Sequence, residues 1–241
     1  MQYFPLAWPF LAILFVIFLF ALGILEFQVL TYAYARLGIS PRYVLAILLL
    51  SLFGSYINIP VAQLRPERVV QHSLVDYFGI LYVVPSVTRW PGTVIAVNLG
   101  GAVVPTILSL YLIFKNRIVV QSIIAIAAVA LLVHTLAKPV RGIGISVPIF
   151  VPPLAAAAVA MLLAYRKSPA LAYIAGSMGT LIGADLMNLG RIQGLGAPVA
   201  SIGGAGTFDG IFLTGIIAVL LPPVGLVRPK PPREEPPPPL I

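Results

Sequence analysis

From Tyr3 to Leu25 the chain carries no charged side chain, and past Glu26 the apolar run continues to Tyr34. A helix needs ~20 predominantly apolar residues to cross the hydrocarbon core of a bilayer. This run exceeds that length, so its helix must tilt, kink or protrude. It also lacks a basic start, which reads as a membrane span and not as a cleaved leader. Further apolar runs follow along the chain, and only 9% of the 241 residues are charged. A soluble domain would carry about a quarter. The expectation is an all-α integral membrane protein whose first partner is the lipid bilayer.

Seven transmembrane helices fit the hydropathy, at 5–34, 43–63, 93–114, 118–137, 143–165, 169–190 and 208–226. Residues 64–92 break the pattern with "LRPERVVQHSLVDYFGILYVVPSVTRWPG". The β-branched and aromatic residues, with Pro85 and Pro91, fit a small extramembrane hairpin between helices two and three. The membrane domain then covers 1–227, with 64–92 inserted, and 228–241 is a proline-rich, solvated arm.

Two classes of chemistry drop out. The chain has no cysteine, which removes disulfides, thiolate nucleophiles and thiolate metal sites. Its net charge of +8 comes from 15 Lys and Arg residues scattered over the loops. That spread suits lipid headgroups and topology, not a clustered nucleic-acid face. His72 and His134 are too few and too separated for a zinc site, though His134 with Asp185 and Asp209 forms a metal alternative. "GGAGTFDG" lacks the preceding strand and the lysine of a phosphate loop. No metal or other cofactor is expected.

Alternating seven spans brings polar residues to one membrane face. Asn58 ends span two, Asn98 opens span three, and His134 closes span four with Lys138 just beyond. Arg141 precedes span five, Asp185 and Asn188 lie near the end of span six, and Asp209 opens span seven. Polar groups at bilayer depth are costly and usually face a bundle interior or a wet cavity. Glycine and proline gather at the same level, in "SYINIPV", "AVNLGGAVVP" and "AKPVRGIGISVP". Backbone freed by such residues survives in a membrane only inside protein or beside water.

Span six is two-sided. At 100° per residue Gly176, Gly179 and Gly183 share one narrow sector, where a neighbouring helix can come close. Asp185 points roughly the opposite way. Between spans six and seven runs "RIQGLGAPVASIGGAGT", glycine-rich and apolar enough to dip into the membrane. Asp209 sits in the first turn of span seven, where free N–H groups favour a carboxylate. Asp185 is enclosed by apolar neighbours, which favour the protonated form. Two acids with opposed environments are a recurring acid/base arrangement.

The stretches "GSYINIPV", "AVNLGGAVVP", "KPVRGIGISVPIFVPPLAAA", "GTLIGADLMNLG" and "SIGGAGTFDGIFLTGIIAVLL" together resemble a prokaryotic family of polytopic membrane proteins of unknown function. That resemblance implies a cell-membrane location and supplies no activity. The Asp-helix and Gly-x-Gly arrangement also resembles the GxGD intramembrane aspartyl proteases, the presenilin, signal-peptide-peptidase and prepilin-peptidase group. It would match Asp185 to their first aspartate and Asp209 to their second. Here Thr207 and Phe208 stand between Gly204-Ala205-Gly206 and Asp209, and Ala184 precedes Asp185.

Three functions compete. In an aspartyl hydrolase, Asp185 and Asp209 activate water, while Gly203, Gly204 and Gly206 admit an extended membrane-protein substrate. Asn58, Asn98, Asn188, His134, Lys138 and Arg141 would support that site. In an ion- or proton-coupled transporter the same residues bind a small solute. There the echo of "VNLGG" (97–101) in "MNLGR" (187–191) would mark an inverted repeat, and Glu26 a second protonation point. In a scaffold, Lys138 or Arg141 neutralises a buried aspartate.

Orientation follows from the basic residues. Loops one, three and five with the tail hold nine (Arg36, Arg42, Lys115, Arg117, Arg166, Lys167, Arg228, Lys230, Arg233) and the other loops six. The excess places the C-terminus in the cytoplasm. Reporter fusions test this: a C-terminal reporter should be active in the cytosol and an N-terminal one outside it.

Overall fold

The computed structural model describes residues 7–140, 144–193, 197–204 and 210–222. It is mostly helical. Among the described residues four helical stretches are long and apolar enough to cross a membrane: Trp8–Arg36, Leu99–Asn116, Val119–Leu136 and Val151–Arg191. Pro41–Gly54 and Ile211–Leu220 are apolar but shorter. This is compatible with a helical membrane protein, and by length and composition four stretches could cross where hydropathy drew seven.

The helices are α1 (Ala7–Arg36), α2 (Pro41–Gly54), α3 (Val104–Asn116), α4 (Val119–Leu136), α5 (Val151–Ala164), α6 (Ser168–Thr180) and α7 (Gly210–Leu220). α6 is the centre, packed against α3, α4, α5 and α7. Its sequence "SPALAYIAGSMGT" explains this position, because small residues let several helices approach at once. Leu171 to Ala175 are all buried. The glycine sector divides its contacts. Gly176 faces Thr214 and Ala218 of α7, whereas Gly179 and Gly183 lie against Val129 and Ala130 of α4. α5 and α6 pack along each other about the short turn Tyr165–Lys167. α1 is different: Trp8 to Val29 are exposed, and it joins the bundle only near buried Ala33 and Tyr34.

Short strands replace several expected helix ends. Asn58–Gln63 (β1) follows α2, and Val94–Asn98 (β4) precedes a π turn, Leu99–Val103, that leads into α3. β1 and β4 pair antiparallel, and Val199–Ile202 (β7) joins β4 in parallel, giving the order β1-β4-β7. Lys138–Val140 (β5) pairs with Gly144–Ser146 (β6), so helix α5 starts at Val151 and not near 143. Pro60 is poor helix interior and tolerated on an edge strand such as β1, and the β-branched Val94, Ile95 and Val97 favour strand. Pairing also satisfies backbone groups that a broken helix would strand in lipid. The hairpin expected over 64–92 forms from Glu67–Tyr77 (β2) and Ile80–Trp90 (β3). Its turn is Phe78-Gly79, both with positive φ, and Asp76 accepts the Gly79 N–H at 2.8 Å. The proline-rich arm lies outside the described residues.

Cations tie the opposite end of the bundle. Arg36 donates to the Leu220 carbonyl at 3.0 Å and to that of Pro222 at 2.5 Å. Lys115 donates to Gly38 O and Lys167 to Asn116 O, each at 2.6 Å. Carbonyls at helix C-termini lack intrahelical donors, and Lys and Arg complement them.

A very tight crossing lies between α2 and the π turn. A Cβ on Gly100 would stand 2.0 Å from Ser51 O and 2.5 Å from Ser55 N, both backbone atoms that cannot step aside alone. Gly100→Ala should therefore cost about 1–3 kcal/mol, the usual overpacking range. Gly23→Ala, with nothing within 4 Å in α1, should cost nothing. Thermal unfolding of both variants in detergent checks the difference.

Candidate functional site

Asp185 owes its position to the way α6 ends. After Thr180 the helix widens into a π turn, Leu181–Asp185, and then tightens into a 3-10 segment, Leu186–Arg191. Such changes of winding re-aim side chains within one continuous helix. Asn188 holds the irregular carbonyls. Its Nδ2 donates to Gly183 O at 2.9 Å and Ala184 O at 3.0 Å, while its Oδ1 accepts from Arg191 at 3.2 Å.

The Asp185 carboxylate is half-buried and accepts the Gly203 N–H at 2.7 Å. Gly203 follows β7 directly, with φ +93°, and Gly204 has φ +82°. A side chain at Gly203 would also meet Ala102, its Cβ 2.5 Å from the backbone N. Glycine is needed here on both counts. A Cβ on Gly101 would fall 1.9 Å from Gly203 O. The end of β7, the π turn before α3 and Asp185 therefore meet at backbone distance.

Asn98 locks the same crossing from the other side. It is 1% exposed, donates to Ser55 O at 2.7 Å and Asn58 Oδ1 at 3.1 Å, and accepts from Gly101 N at 2.8 Å. Ser201 in β7 donates to the same Asn58 Oδ1 at 2.6 Å. These bonds connect α2, β1, the π turn and β7.

Beside this junction lies a cavity of about 440 Å³. Asp185 is in its wall, with Thr180, Thr214, Ser146, Ser201 and Gly204. Thr180 Oγ1 is buried without a hydrogen-bond partner among the described residues. All of β6 and all of β7 line the cavity, and each is an edge strand. Edge strands carry backbone donors and acceptors that a further strand can use.

Of the residues singled out in the sequence, Asp185, Gly203 and Gly204 come together, with Asn98 and Asn58 adjoining. Asn188, His134, Lys138 and Glu26 do not line the cavity. Asn188 is fully buried and turned onto its own helix. His134 is half-buried at the end of α4, its Nδ1 without a partner among the described residues. Lys138 is exposed in β5. Glu26 is exposed in α1. Asp209, Gly206 and Arg141 lie outside the described residues. Sequence reasoning missed Ser201 and Thr180, whose hydroxyls gain meaning only once β7 pairs and α6 unwinds. The β-branched ends of "VASI" were the available signal for β7.

A family model described as "Protein of unknown function (DUF1614)" matches residues 52–221. No curated protein and no solved structure matches the chain.

The Asn98 network has a direct test. Asn98→Ala leaves a buried carbonyl and a buried N–H without their partner, which should cost about 2 kcal/mol or more. Asn58→Ala, at an exposed position, should cost under about 1 kcal/mol. Denaturant melts of the two variants in detergent measure the gap.

Proposed function

Because the chain belongs to the DUF1614 family, of unknown function, its role has to be argued from the site, and we propose an intramembrane aspartyl hydrolase that cuts an extended chain segment. The observation that carries this reading is Asp185 in the wall of a 440 Å³ cavity lined by two edge strands. A substrate segment unwound from helix needs partners for its backbone at membrane depth, and β6 and β7 offer them in the manner of strand addition.

In this reading Asp185 and Asp209 share one proton. One carboxylate takes a proton from water as its oxygen attacks the scissile carbonyl, and the other gives its proton to the leaving amine. The Gly203 N–H bond to Asp185 fixes the carboxylate's direction. The likeness to GxGD proteases belongs to the same reading. So does the seven-span topology, with α5 and α6 as separate crossings, α2 and α7 as short ones, and a cytoplasmic C-terminus in a prokaryotic membrane.

A transporter is the second reading, favoured by one observation. Two helical stretches, at Leu99–Val103 and Leu181–Asp185, change winding close to the cavity. Broken helices around a carboxylate are common in substrate and ion sites.

The test uses the full chain in proteoliposomes with a panel of fluorogenic, apolar single-span peptides. Asp185→Asn and Asp209→Asn should each lower cleavage by at least about 100-fold, the range of general acid–base catalysis. Full cleavage in either variant removes the hydrolase. Solute uptake that needs Asp185, without cleavage, moves the site to the transporter; neither activity leaves a scaffold.

A further inference from the structure

A second, separate site lies between α2 and α3. α2 touches the π turn that leads into α3 at backbone distance where Gly54 meets Gly100, and the loop before α2 is tied to the end of α3 where Lys115 Nζ donates to Gly38 O at 2.6 Å. Between these points opens a groove of about 610 Å³, within the roughly 300–1,000 Å³ of ligand pockets. Its floor is aliphatic, with buried Val104 and Leu108, its sides carry the more exposed Ile47, Leu50 and Ile107, and one end carries Tyr43 and Tyr111.

Two cations stand over those tyrosines. The Arg42 guanidinium lies 5.8 Å from the Tyr43 ring centre, and Lys115 Nζ lies 5.2 Å from that of Tyr111. Both cations are exposed, and neither has a carboxylate partner among the described residues. Among the described residues Arg42 donates through Nε alone, to Ser40 Oγ at 3.2 Å, which leaves its terminal nitrogens for an anion. Tyrosine and basic residues at the end of an apolar groove match the order of a lipid, with headgroup, interface and chain in sequence.

We propose that this groove is a binding site for an anionic phospholipid. The phosphate sits between Arg42 and Lys115, where the guanidinium fork and the ammonium complement it. One acyl chain lies past Tyr43 and Tyr111 against Ile47, Leu50 and Ile107. The commitment to an anionic lipid rests on charge: two cations at the mouth, without a carboxylate partner among the described residues, select against a zwitterionic headgroup, and the aliphatic wall selects against a free anion. The site is independent of the Asp185 cavity, with which it shares no residue.

The experiment reconstitutes the full chain in phosphatidylcholine nanodiscs doped with spin-labelled phosphatidylglycerol. An immobilised lipid fraction is expected, displaced by unlabelled phosphatidylglycerol and not by phosphatidylcholine or inorganic phosphate. Arg42→Gln with Lys115→Gln should weaken the preference for phosphatidylglycerol by about tenfold or more, since each cation contributes to anionic-lipid attraction. Because Lys115 also caps Gly38, Ile107→Trp serves as the second variant. It fills the groove from an exposed position, leaves both cations in place, and should abolish the immobilised fraction while the melting temperature holds. Equal displacement by phosphatidylcholine, displacement by phosphate, or an unchanged fraction in the Ile107→Trp variant would overturn the proposal.

Discussion

Inside hydrocarbon no water is present to complete a peptide group, so each interruption of a helix needs a protein partner for the backbone it releases. This chain interrupts its helices repeatedly and meets the demand in one place. The end of α2, the π turn before α3 and the end of β7 cross at glycines 54, 100, 101 and 203, where main chains touch without intervening side chains. The β1-β4-β7 sheet pairs backbone beside that crossing, and Asn98 adds partners for Ser55 O and Gly101 N. The irregular backbone is therefore a built layer, and Asp185 is docked onto it through Gly203.

Helix α6 links that layer to the bundle. Its small residues face α4 and α7, which fixes the helix firmly, while the change of winding after Thr180 turns Asp185 toward the cavity. Rigidity on one side and access on the other are what a reactive or binding carboxylate needs. The opposite end of the molecule follows a different logic. There Arg36, Lys115 and Lys167 cap carbonyls, and the cationic surface they form is the one that the anionic-lipid groove opens beside.

Length and hydropathy made much of the bundle legible. Residues 118–137 and 169–190 correspond to Val119–Leu136 and Ser168–Arg191 almost end for end, and the hairpin within 64–92 is present. The strands were not legible as strands. "NIPVAQ" and "VIAVN" are short, apolar and contiguous with helices, and only pairing between Asn58 and Asn98, or Val94 and Val199, distinguishes them from helix ends. Such pairing is a long-range fact that a local pattern does not carry. Asp185 stood out because charge is scarce in this chain, and Gly203 because it ends a glycine-rich loop. Asn188 looked the same from sequence, yet its amide turns inward to steady the helix that presents Asp185.

The clasp of Arg36 onto Leu220 and Pro222 joins residues 184 and 186 positions apart. During synthesis α1 is made long before its receptor carbonyls exist, and with Trp8 to Val29 exposed its packing rests on the Ala33–Tyr34 end, against α2 and α7. The clasp itself can close only after α7 is translated and inserted. Joining the first helix to the last is thus a late event in the biogenesis of this molecule, made by buried packing and one guanidinium.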